Sequence, residues 1–225
     1  MPRQTSKGKC FSCSGEYSKS GMTRHLQTCK QRSTTLNSGR RTGSLLHIVV
    51  EGRYAPEYWM HLEAPAEATL IDLDDFLRQT WLECCGHLSA FDIGGTSYLS
   101  YTELGLGFDM DEDSMHGVQL SDVLAPGEKF SHQYDFGTTT DLRLRMVSAR
   151  EGQVRGKSVK VLARNEPPEI PCGECGQPAI EVCAMCSWEG AGWLCAKCAQ
   201  NHECGEEMLL PVVNSPRVGM CAYTG

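Results

Sequence analysis

The sequence predicts an α+β fold, in which a small mixed or antiparallel sheet and one main packed helix are flanked by two small cysteine-rich modules. Two observations lead to this prediction. Between residues 44 and 164, several short runs alternate apolar and polar residues, and one longer run places apolar residues at helical spacing. Ten of the thirteen cysteines fall in two clusters, at residues 10–29 and 172–204, on either side of this segment.

The first strands and the main helix are adjacent in the chain. "SLLHIVVEGR" and "YWMHLEAP" are typical of strands, and the turn between them lies at residues 54–56. "ATLIDLDDFLRQTWLEC" follows, in which Thr69 can cap a helix and Asp72, three residues later, completes a capping-box pattern. One face of this helix would carry Leu73, Phe76, Leu77, Thr80 and Trp81.

The remaining strands come later in the same segment. "HLSAFDIGGTSYLS" places Gly94 and Gly95 between two strand-like runs, which indicates a hairpin. "LSDVLAPGEKFSHQYDFG" predicts a short helical turn, a tight turn and a strand. "TDLRLRMVSAR" and "KSVKVLA" predict two more strands, so the segment is expected to form a ββαββ-type sheet.

Two segments are typical of linkers and divide the chain. "KQRSTTLNSGRRTGS" is polar and rich in Ser, Thr, Gly and Arg, and "RNEPPEIP" contains three prolines and is stiffer. The predicted division is a basic finger at residues 1–31, a linker at 32–43, the α+β domain at 44–164, and a cysteine-rich module with a packed tail at 165–225.

The net charge of −7 conceals a strong asymmetry. Residues 1–41 contain nine Lys and Arg and one acid, whereas the rest of the chain is acidic. Such a basic arm is compatible with nucleic acid. The N-terminus lacks the pattern of a secretory signal, and no apolar run is long enough to span a bilayer. A cytoplasmic location is therefore expected, where clustered cysteines bind metal more often than they form disulfides.

The N-terminal cluster has the spacing of a zinc site. It reads Cys10-x2-Cys13-x11-His25-x3-Cys29, with two ligands on a tight knuckle and two a helical turn apart, as tetrahedral zinc requires. It resembles a zinc finger of the CCHC type, with Tyr17 and Met22 in the positions of its small core.

Nucleic-acid contact by this finger is a hypothesis based on its charge. The helix positions that reach bases in such fingers carry Ser18, Gly21 and Arg24, so only Arg24 could pair with guanine. Phosphate contact without sequence choice, on DNA or RNA, fits better. A purely structural or protein-binding finger is the alternative. The predicted contact residues are Lys19, Arg24, Lys30 and Arg32.

The C-terminal cluster offers eight ligands, enough for two zinc ions with none to spare. The ligands are Cys172, Cys175, Cys183, Cys186, Cys195, Cys198, His202 and Cys204. They form four short pairs, which suit a cross-brace (first with third, second with fourth), although sequential pairing remains open. The spacing resembles B-box and MYND modules, which implies a protein partner. With the finger, about three zinc ions per chain are expected, all with four protein ligands and therefore structural.

The middle segment resembles the plasmid pRiA ORF-three-like family, also described as TnpR-like passenger proteins of an insertion element. Three blocks carry the resemblance: "TLIDLDDFLRQTW", "HLSAFDIGG" and "LSDVLAPGEKFSHQYDFG". The resemblance implies an α+β fold, and no established activity comes with it. Family members usually continue the last block with an acid, a tryptophan and a histidine, whereas this chain continues it with Thr138, Thr139, Thr140 and Asp141.

These observations predict a zinc-stabilised binding or adaptor protein and not an enzyme. The finger would contact nucleic acid or a ribonucleoprotein, and the C-terminal module would bind a protein partner; no membrane is involved. The alternative is a nucleic-acid-acting enzyme or accessory factor of a mobile element, with its site in the middle domain near Asp135 and His87. A serine recombinase would need an activated serine among arginines, which the sequence lacks. A zinc store or sensor is a third hypothesis.

Overall fold

The computed structural model describes residues 6–33, 41–100, 113–154 and 156–225. The chain forms two compact units. The first contains Met1–Leu77 and Leu88–Glu166, and the second contains Arg78–His87 and Pro167–Gly225. Residues 34–40 of the predicted linker lie outside the described residues. The predicted α+β class is confirmed.

The first unit is built on one large sheet. In the described part of this unit, ten strands run in the order β2-β1-β10-β4-β3-β9-β8-β5-β6-β7, and all neighbours are antiparallel except β6 and β7. The strands are β1 Lys7–Cys10, β2 Glu16–Ser18, β3 Thr42–Gly52, β4 Trp59–Pro65, β5 Ser89–Ile93, β6 Thr96–Leu99, β7 Asp113–Ser114, β8 Lys129–Tyr134, β9 Thr140–Gln153 and β10 Lys160–Asn165. The sheet is larger than predicted because the two short strands of the finger, residues 7–31, extend it beyond β10.

Four helices accompany this sheet in the described part of the unit: α1 Lys19–Thr28, α2 Lys30–Ser33, α3 Leu70–Leu77 and α4 Leu120–Val123. The capping box that begins α3 is formed as predicted, since the Thr69 backbone N–H donates to the Asp72 carboxylate at 2.7 Å and the Asp72 N–H donates to Thr69 Oγ1 at 3.3 Å.

A buried polar network holds α3 on the sheet. The Asp74 carboxylate lies 2.6 Å from His132 Nε2 on β8 and accepts a hydrogen bond from Ser89 Oγ on β5 at 2.7 Å. All three side chains are fully buried. A buried carboxylate is tolerated only when its oxygens have such partners, so this network fixes the helix over β5 and β8.

The two faces of the sheet differ in what covers them. Successive residues of a strand point to opposite faces, and on β9 the buried Leu142, Leu144 and Met146 alternate with the exposed Arg143 and Arg145. His132, which reaches α3, pairs with Leu142, and Ser131 pairs with Arg143. The helix α3 therefore covers one face of β8 and β9, and the arginines lie on the other.

The finger packs on that second face, at the β10 edge. Met22 and Leu26 of α1 form one buried cluster with Trp59, Leu162 and Ala163 of the sheet. The strand β1 lies so close to β10 that a Cβ atom on Gly8 would come within 2.1 Å of the Arg164 carbonyl oxygen. Only glycine permits this approach without a backbone shift. The finger is thus part of the first unit's core.

The predicted hairpin is also present. Ile93 pairs with Thr96, so Gly94 and Gly95 form a two-residue turn, and both have positive φ (60° and 87°). A turn of this kind needs residues that adopt positive φ at both positions, which glycine does at little cost.

The second unit is small and contains little regular structure. A three-stranded sheet runs in the order β12-β11-β13. Its elements are a π-helical turn Arg78–Leu82, β11 Glu181–Cys183, a 3-10 turn Cys186–Glu189, β12 Trp193–Leu194, α5 Ala196–Ala199, a 3-10 turn Glu206–Met208 and β13 Leu209–Pro211. Among the described residues of both units, no helix combines the length and apolar character that crossing a membrane requires.

Candidate metal centres and a basic groove

The finger brings its four predicted ligands together. Cys10 ends β1, Cys13 lies in the following knuckle, and His25 and Cys29 come from α1 and the residue after it. One ligand atom from each lies within 4.8 Å of the others, and Cys13 Sγ is 3.2 Å from His25 Nε2. The Tyr17 ring stacks on the His25 ring with centroids 4.3 Å apart, which fixes the imidazole.

The C-terminal ligands form two groups within the second unit. The first and third pairs meet as Cys172, Cys175, Cys195 and Cys198, and the second and fourth meet as Cys183, Cys186, His202 and Cys204. This grouping is the cross-brace arrangement. The Sγ atoms of Cys175 and Cys195 are 3.6 Å apart, and those of Cys186 and Cys204 are 3.7 Å apart.

These separations suit a tetrahedral ion. Zn–S bonds of about 2.3 Å at tetrahedral angles place two sulfurs about 3.8 Å apart. A disulfide would need about 2.05 Å, and none of the thirteen cysteines, all of which lie in the described part of the chain, forms one. Soft thiolate and imidazole donors in sets of four are consistent with zinc. The clusters could therefore hold metal ions, with every coordination position filled by the protein.

The thiols of each cluster also influence one another's ionisation. The backbone N–H of Cys195 lowers the pKa of Cys172 to about 6, because it stabilises the thiolate. The hydrogen bond with Cys175 raises the pKa of Cys198 to about 12. Neighbouring thiolates oppose each other's ionisation, so a divalent cation is what would allow all four sulfurs of this cluster to ionise together.

A fourth cluster was missed by the sequence prediction. Cys84, Cys85, His87 and Cys221 also place one ligand atom each within 4.8 Å of one another, in the second unit. Adjacent cysteines do not have the Cys-x2-Cys spacing of a zinc knuckle, and Cys221 is far away in the chain. One signal in the sequence could have indicated it: Cys84, Cys85 and Cys221 are the three cysteines that the other clusters leave unassigned.

The first unit contains a basic groove of about 680 Å³ on the sheet face that also carries the finger. Its basic lining residues are Lys19, Arg53, Lys129, Arg143 and Arg145, and its acidic ones are Glu51 and Asp92. Strand register brings them together, since Arg143 pairs with Glu51 and Ser131, and Arg145 pairs with Val49 and Lys129. Lys19, Ser20 and Thr23 of α1 line the groove beside the strands. An excess of three positive charges results.

The four predicted nucleic-acid contacts occupy different environments. Lys19 lines the groove and pairs with Glu51, and Arg24 and Lys30 are exposed. Arg32 is buried: its side chain is 7% exposed, its Nη2 lies 2.8 Å from Glu63 Oε2, and its Nη1 donates to the Leu26 carbonyl at 2.8 Å. Arg32 therefore links α2 and α1 to the sheet, and its guanidinium is engaged by Glu63 and the Leu26 carbonyl instead of facing solvent.

The two residues of the enzyme hypothesis, Asp135 and His87, belong to different units of the chain. Asp135 has positive φ (65°) and is buried, and its Oδ1 accepts from the backbone N–H groups of Gly137 and Thr138 at 3.1 and 3.2 Å. It therefore stabilises the turn after β8. His87 belongs to the fourth cysteine cluster.

A histidine pair connects the sheet to the finger. His47 Nε2 lies 2.9 Å from His61 Nδ1, and His61 Nε2 lies 3.3 Å from the Lys19 carbonyl oxygen at the start of α1. Burial lowers the pKa of each histidine to about 3, aided by Arg32 and Arg145 for His47 and by His47 for His61. Both are therefore neutral at physiological pH, and each imidazole has one N–H to donate. His47 Nε2 can donate to His61 Nδ1, and His61 Nε2 can donate to the Lys19 carbonyl oxygen.

This pair predicts acid sensitivity. Below pH 6.5 the unfolded chain takes up protons that folded His47 and His61 do not, so the free energy of unfolding should fall toward pH 3, by at most about 1.4 kcal/mol per pH unit for each histidine. We expect His47→Gln to reduce this slope between pH 6.5 and 5.5 in urea unfolding. His116→Gln, an exposed histidine, is the control, and an equal reduction there would contradict the assignment.

The family profile described as plasmid pRiA4b ORF-3-like protein matches residues 44–178. A crystal structure of a protein of unknown function from Methanosarcina mazei Go1 is similar at 16% identity, with a TM-score of 0.45, covering 60% of this chain and 75% of that one. No curated protein matches the chain.

Proposed function

The chain belongs to the plasmid pRiA4b ORF-3-like protein family, and we propose that it is a zinc-stabilised binding protein that holds a nucleic-acid strand in its basic groove. The single observation that supports this most is the groove's composition: strand residues and the finger helix α1 contribute cations to one surface. The finger acts in this proposal as one wall of the groove.

The charges in the groove suit a phosphate backbone. Arg143 and Arg145 are exposed and lie two residues apart on β9, and Lys129 lies opposite Arg145 on β8. Among the described residues, none of these three has a carboxylate within ion-pair distance. When a row of such cations neutralises phosphates, the nucleic acid releases the counterions condensed on it. Binding of this kind depends on the salt concentration and not on the base sequence.

An exposed aromatic ring lies next to the groove residues. Tyr54 is 79% exposed, and the guanidinium of Arg53 lies 5.7 Å from its ring centroid. Aromatic rings beside a basic groove provide stacking surfaces for bases, and single strands offer unpaired bases to them. The proposal therefore favours a single strand over a duplex.

The C-terminal module is proposed to bind a protein partner. Trp188 and Met185 are 68% and 60% exposed, and both lie at the 3-10 turn beside the cluster of Cys183, Cys186, His202 and Cys204. Large exposed apolar side chains held on a rigid scaffold are typical of protein-docking surfaces. No observation favours the enzyme alternative over this binding function.

The groove is tested by charge reversal. Binding of fluorescein-labelled single-stranded RNA and DNA to the full-length protein, measured by anisotropy against salt, should weaken about tenfold or more in the Arg143→Glu, Arg145→Glu double variant. The slope of log affinity against log salt should fall by about 0.7 for each lost phosphate contact.

The matched control reverses two exposed lysines that do not line the groove, Lys160 and Lys197. Lys160→Glu with Lys197→Glu changes the net charge equally, so a local role for the groove predicts a much smaller loss of affinity. Equal losses in both double variants, or no binding at low salt by the wild type, would reject the nucleic-acid function.

A further inference from the structure

We infer that Cys84, Cys85, His87 and Cys221 form a fourth zinc site that fastens the C-terminal tail to the segment Arg78–His87. All four residues belong to the second unit. The inference goes beyond the proposed binding function and does not depend on it.

The distances within the cluster match a four-coordinate ion. The Sγ atoms of Cys84 and Cys85 are 3.4 Å apart, and those of Cys85 and Cys221 are 3.5 Å apart. His87 Nε2 lies 2.9 Å from Cys85 Sγ and 3.8 Å from Cys221 Sγ. Tetrahedral zinc with about 2.3 Å bonds to sulfur and 2.0–2.1 Å bonds to nitrogen places such atoms about 3.6–3.8 Å apart. Only small side-chain movements would be needed to admit an ion.

The distribution of the cysteines supports the same conclusion. All thirteen lie in the described part of the chain, and the other three clusters contain ten of them. The remaining three converge on one point although Cys221 is 136 residues from Cys85. A shared metal ion accounts for this convergence, and a histidine completes the set of four.

The backbone on both sides of the site is held in place without the ion. In the 78–87 segment, Arg78 Nη2 donates to the His87 carbonyl at 2.7 Å, and the Gly86 N–H donates to the Glu83 carboxylate at 2.5 Å. Gly86 has φ +76°, which allows the chain to turn between Cys85 and His87.

The tail is anchored to the same segment just before Cys221. Ser215 Oγ donates to the Trp81 carbonyl at 2.7 Å, and Trp81 Nε1 donates to the Asn214 carbonyl at 3.0 Å. The four ligands are therefore preorganised, which reduces the entropy that metal binding would otherwise cost.

A buried arginine matches the charge of the proposed site. Three thiolates and one neutral imidazole around Zn²⁺ leave a net charge of −1. Arg217 is completely buried, and its Nη2 lies 3.3 Å from Cys84 Sγ. A guanidinium that donates to a ligand sulfur is a favourable outer partner for a negatively charged metal site, and the site in turn compensates the buried cation.

The site would be structural and not catalytic, because four protein ligands leave no open position for water or substrate. Its effect would be to join two segments that are far apart in sequence. The second unit has only short strands and one-turn helices and so buries little apolar surface. In such a unit, a metal cross-link supplies stability that a larger hydrophobic core would otherwise provide.

The test is the zinc content of the full-length protein, measured by native mass spectrometry after purification under reducing conditions. We expect four zinc ions in the wild type and three in His87→Gln and in Cys221→Ser. His116→Gln is the matched control, since this exposed histidine lies outside all four clusters, and it should keep four.

Three zinc ions in the wild type would overturn the inference, as would four in both ligand variants. A wild type with three zinc ions and a mass lower by two hydrogens would instead indicate a disulfide within the cluster. The other three zinc ions serve as a folding control, because a variant that retains them is folded. If His87→Gln or Cys221→Ser retains fewer than three zinc ions, the Cys85→Ser variant takes its place, and this variant is expected to retain three. Hydrogen exchange gives a second readout: residues 214–223 should lose protection in His87→Gln and keep it in His116→Gln.

Discussion

Replacing Cys10 with serine is expected to remove one zinc ion per chain and to unfold the finger, residues 7–31, while the rest of the sheet stays folded. Cys10 is completely buried and is at once a ligand of the finger cluster and a member of its core. Its loss therefore removes a metal bond and places an unpaired hydroxyl in an apolar contact.

The size of the effect follows from what else holds the finger. Structural zinc contributes about 10–16 kcal/mol to the folding of isolated finger peptides at neutral pH. Besides the β1–β10 pairing and the polar contacts of Lys19 and Arg32, the finger is held by the apolar face of α1, in which Met22 and Leu26 are the buried residues. Burying two such side chains contributes about 3–6 kcal/mol, and this cannot replace the metal.

The prediction is tested by measuring amide hydrogen exchange and zinc content on the same sample of the Cys10→Ser variant. In Cys10→Ser, peptides from residues 7–31 should exchange fast, and Trp59, which is 1% exposed in the wild type, should become accessible to fluorescence quenchers. Ser12→Ala, an exposed position in the same knuckle, is the control and should behave as the wild type. Retention of the full zinc content together with slow exchange in Cys10→Ser would contradict a metal-dependent finger.

The parts of the fold that the sequence predicted correctly depend on local signals. The capping box at Thr69 and Asp72 and the turn at Gly94 and Gly95 are formed as predicted. Each is determined by residues within three positions of one another, whose backbone preferences are little affected by the rest of the chain. The alternating runs that became β3, β4, β8, β9 and β10 were visible for the same reason.

Contacts between distant residues were not visible. The strand β1, "KGKC", has no apolar alternation, and its pairing with β10 joins residues such as Gly8 and Asn165. The convergence of Cys85 and Cys221 is of the same kind. Such pairings depend on the closure of the whole sheet or module, which a single sequence does not encode in any short window.

The burial of Arg32 shows the same limit at a single side chain. In the sequence it belongs to a basic arm, and nothing nearby indicates a partner. The one available signal lay elsewhere, in Glu63, the only carboxylate within the mostly apolar run "WMHLEAP". All seven residues of this strand are buried, so its acid requires a cation.

That ion pair supports the second large prediction. Glu63 Oε2 lies 2.8 Å from Arg32 Nη2 and 2.7 Å from Arg150 Nη2, and the Glu63 side chain is 8% exposed. We expect Glu63→Gln to lower the free energy of unfolding by about 3–5 kcal/mol, because it leaves the buried Arg32 guanidinium without a countercharge. Urea unfolding of the zinc-loaded protein measures this difference.

A surface pair of the same geometry provides the control. Arg41 Nη2 also lies 2.8 Å from a carboxylate oxygen, that of Glu67, but the Arg41 side chain is 74% exposed. Exposed pairs contribute about 0–1 kcal/mol, because water solvates each charge when the partner is lost. Glu67→Gln should therefore have little effect, and a loss as large as that of Glu63→Gln would show that burial is not the cause.

A double-mutant cycle then separates the two roles that Arg32 could have. If Arg32 serves only to compensate Glu63, the double variant Arg32→Met, Glu63→Met should be destabilised by clearly less than the sum of the single variants, since neither charge is then left alone in the interior. Arg150, which is 36% exposed, can reach solvent in that variant.

If Arg32 serves only to compensate Glu63, the single variant Arg32→Met should also lower stability and leave RNA affinity unchanged. If Arg32→Met instead keeps its stability and loses RNA affinity, Arg32 contacts the nucleic acid directly. A cation that binds phosphate and not Glu63 affects binding alone.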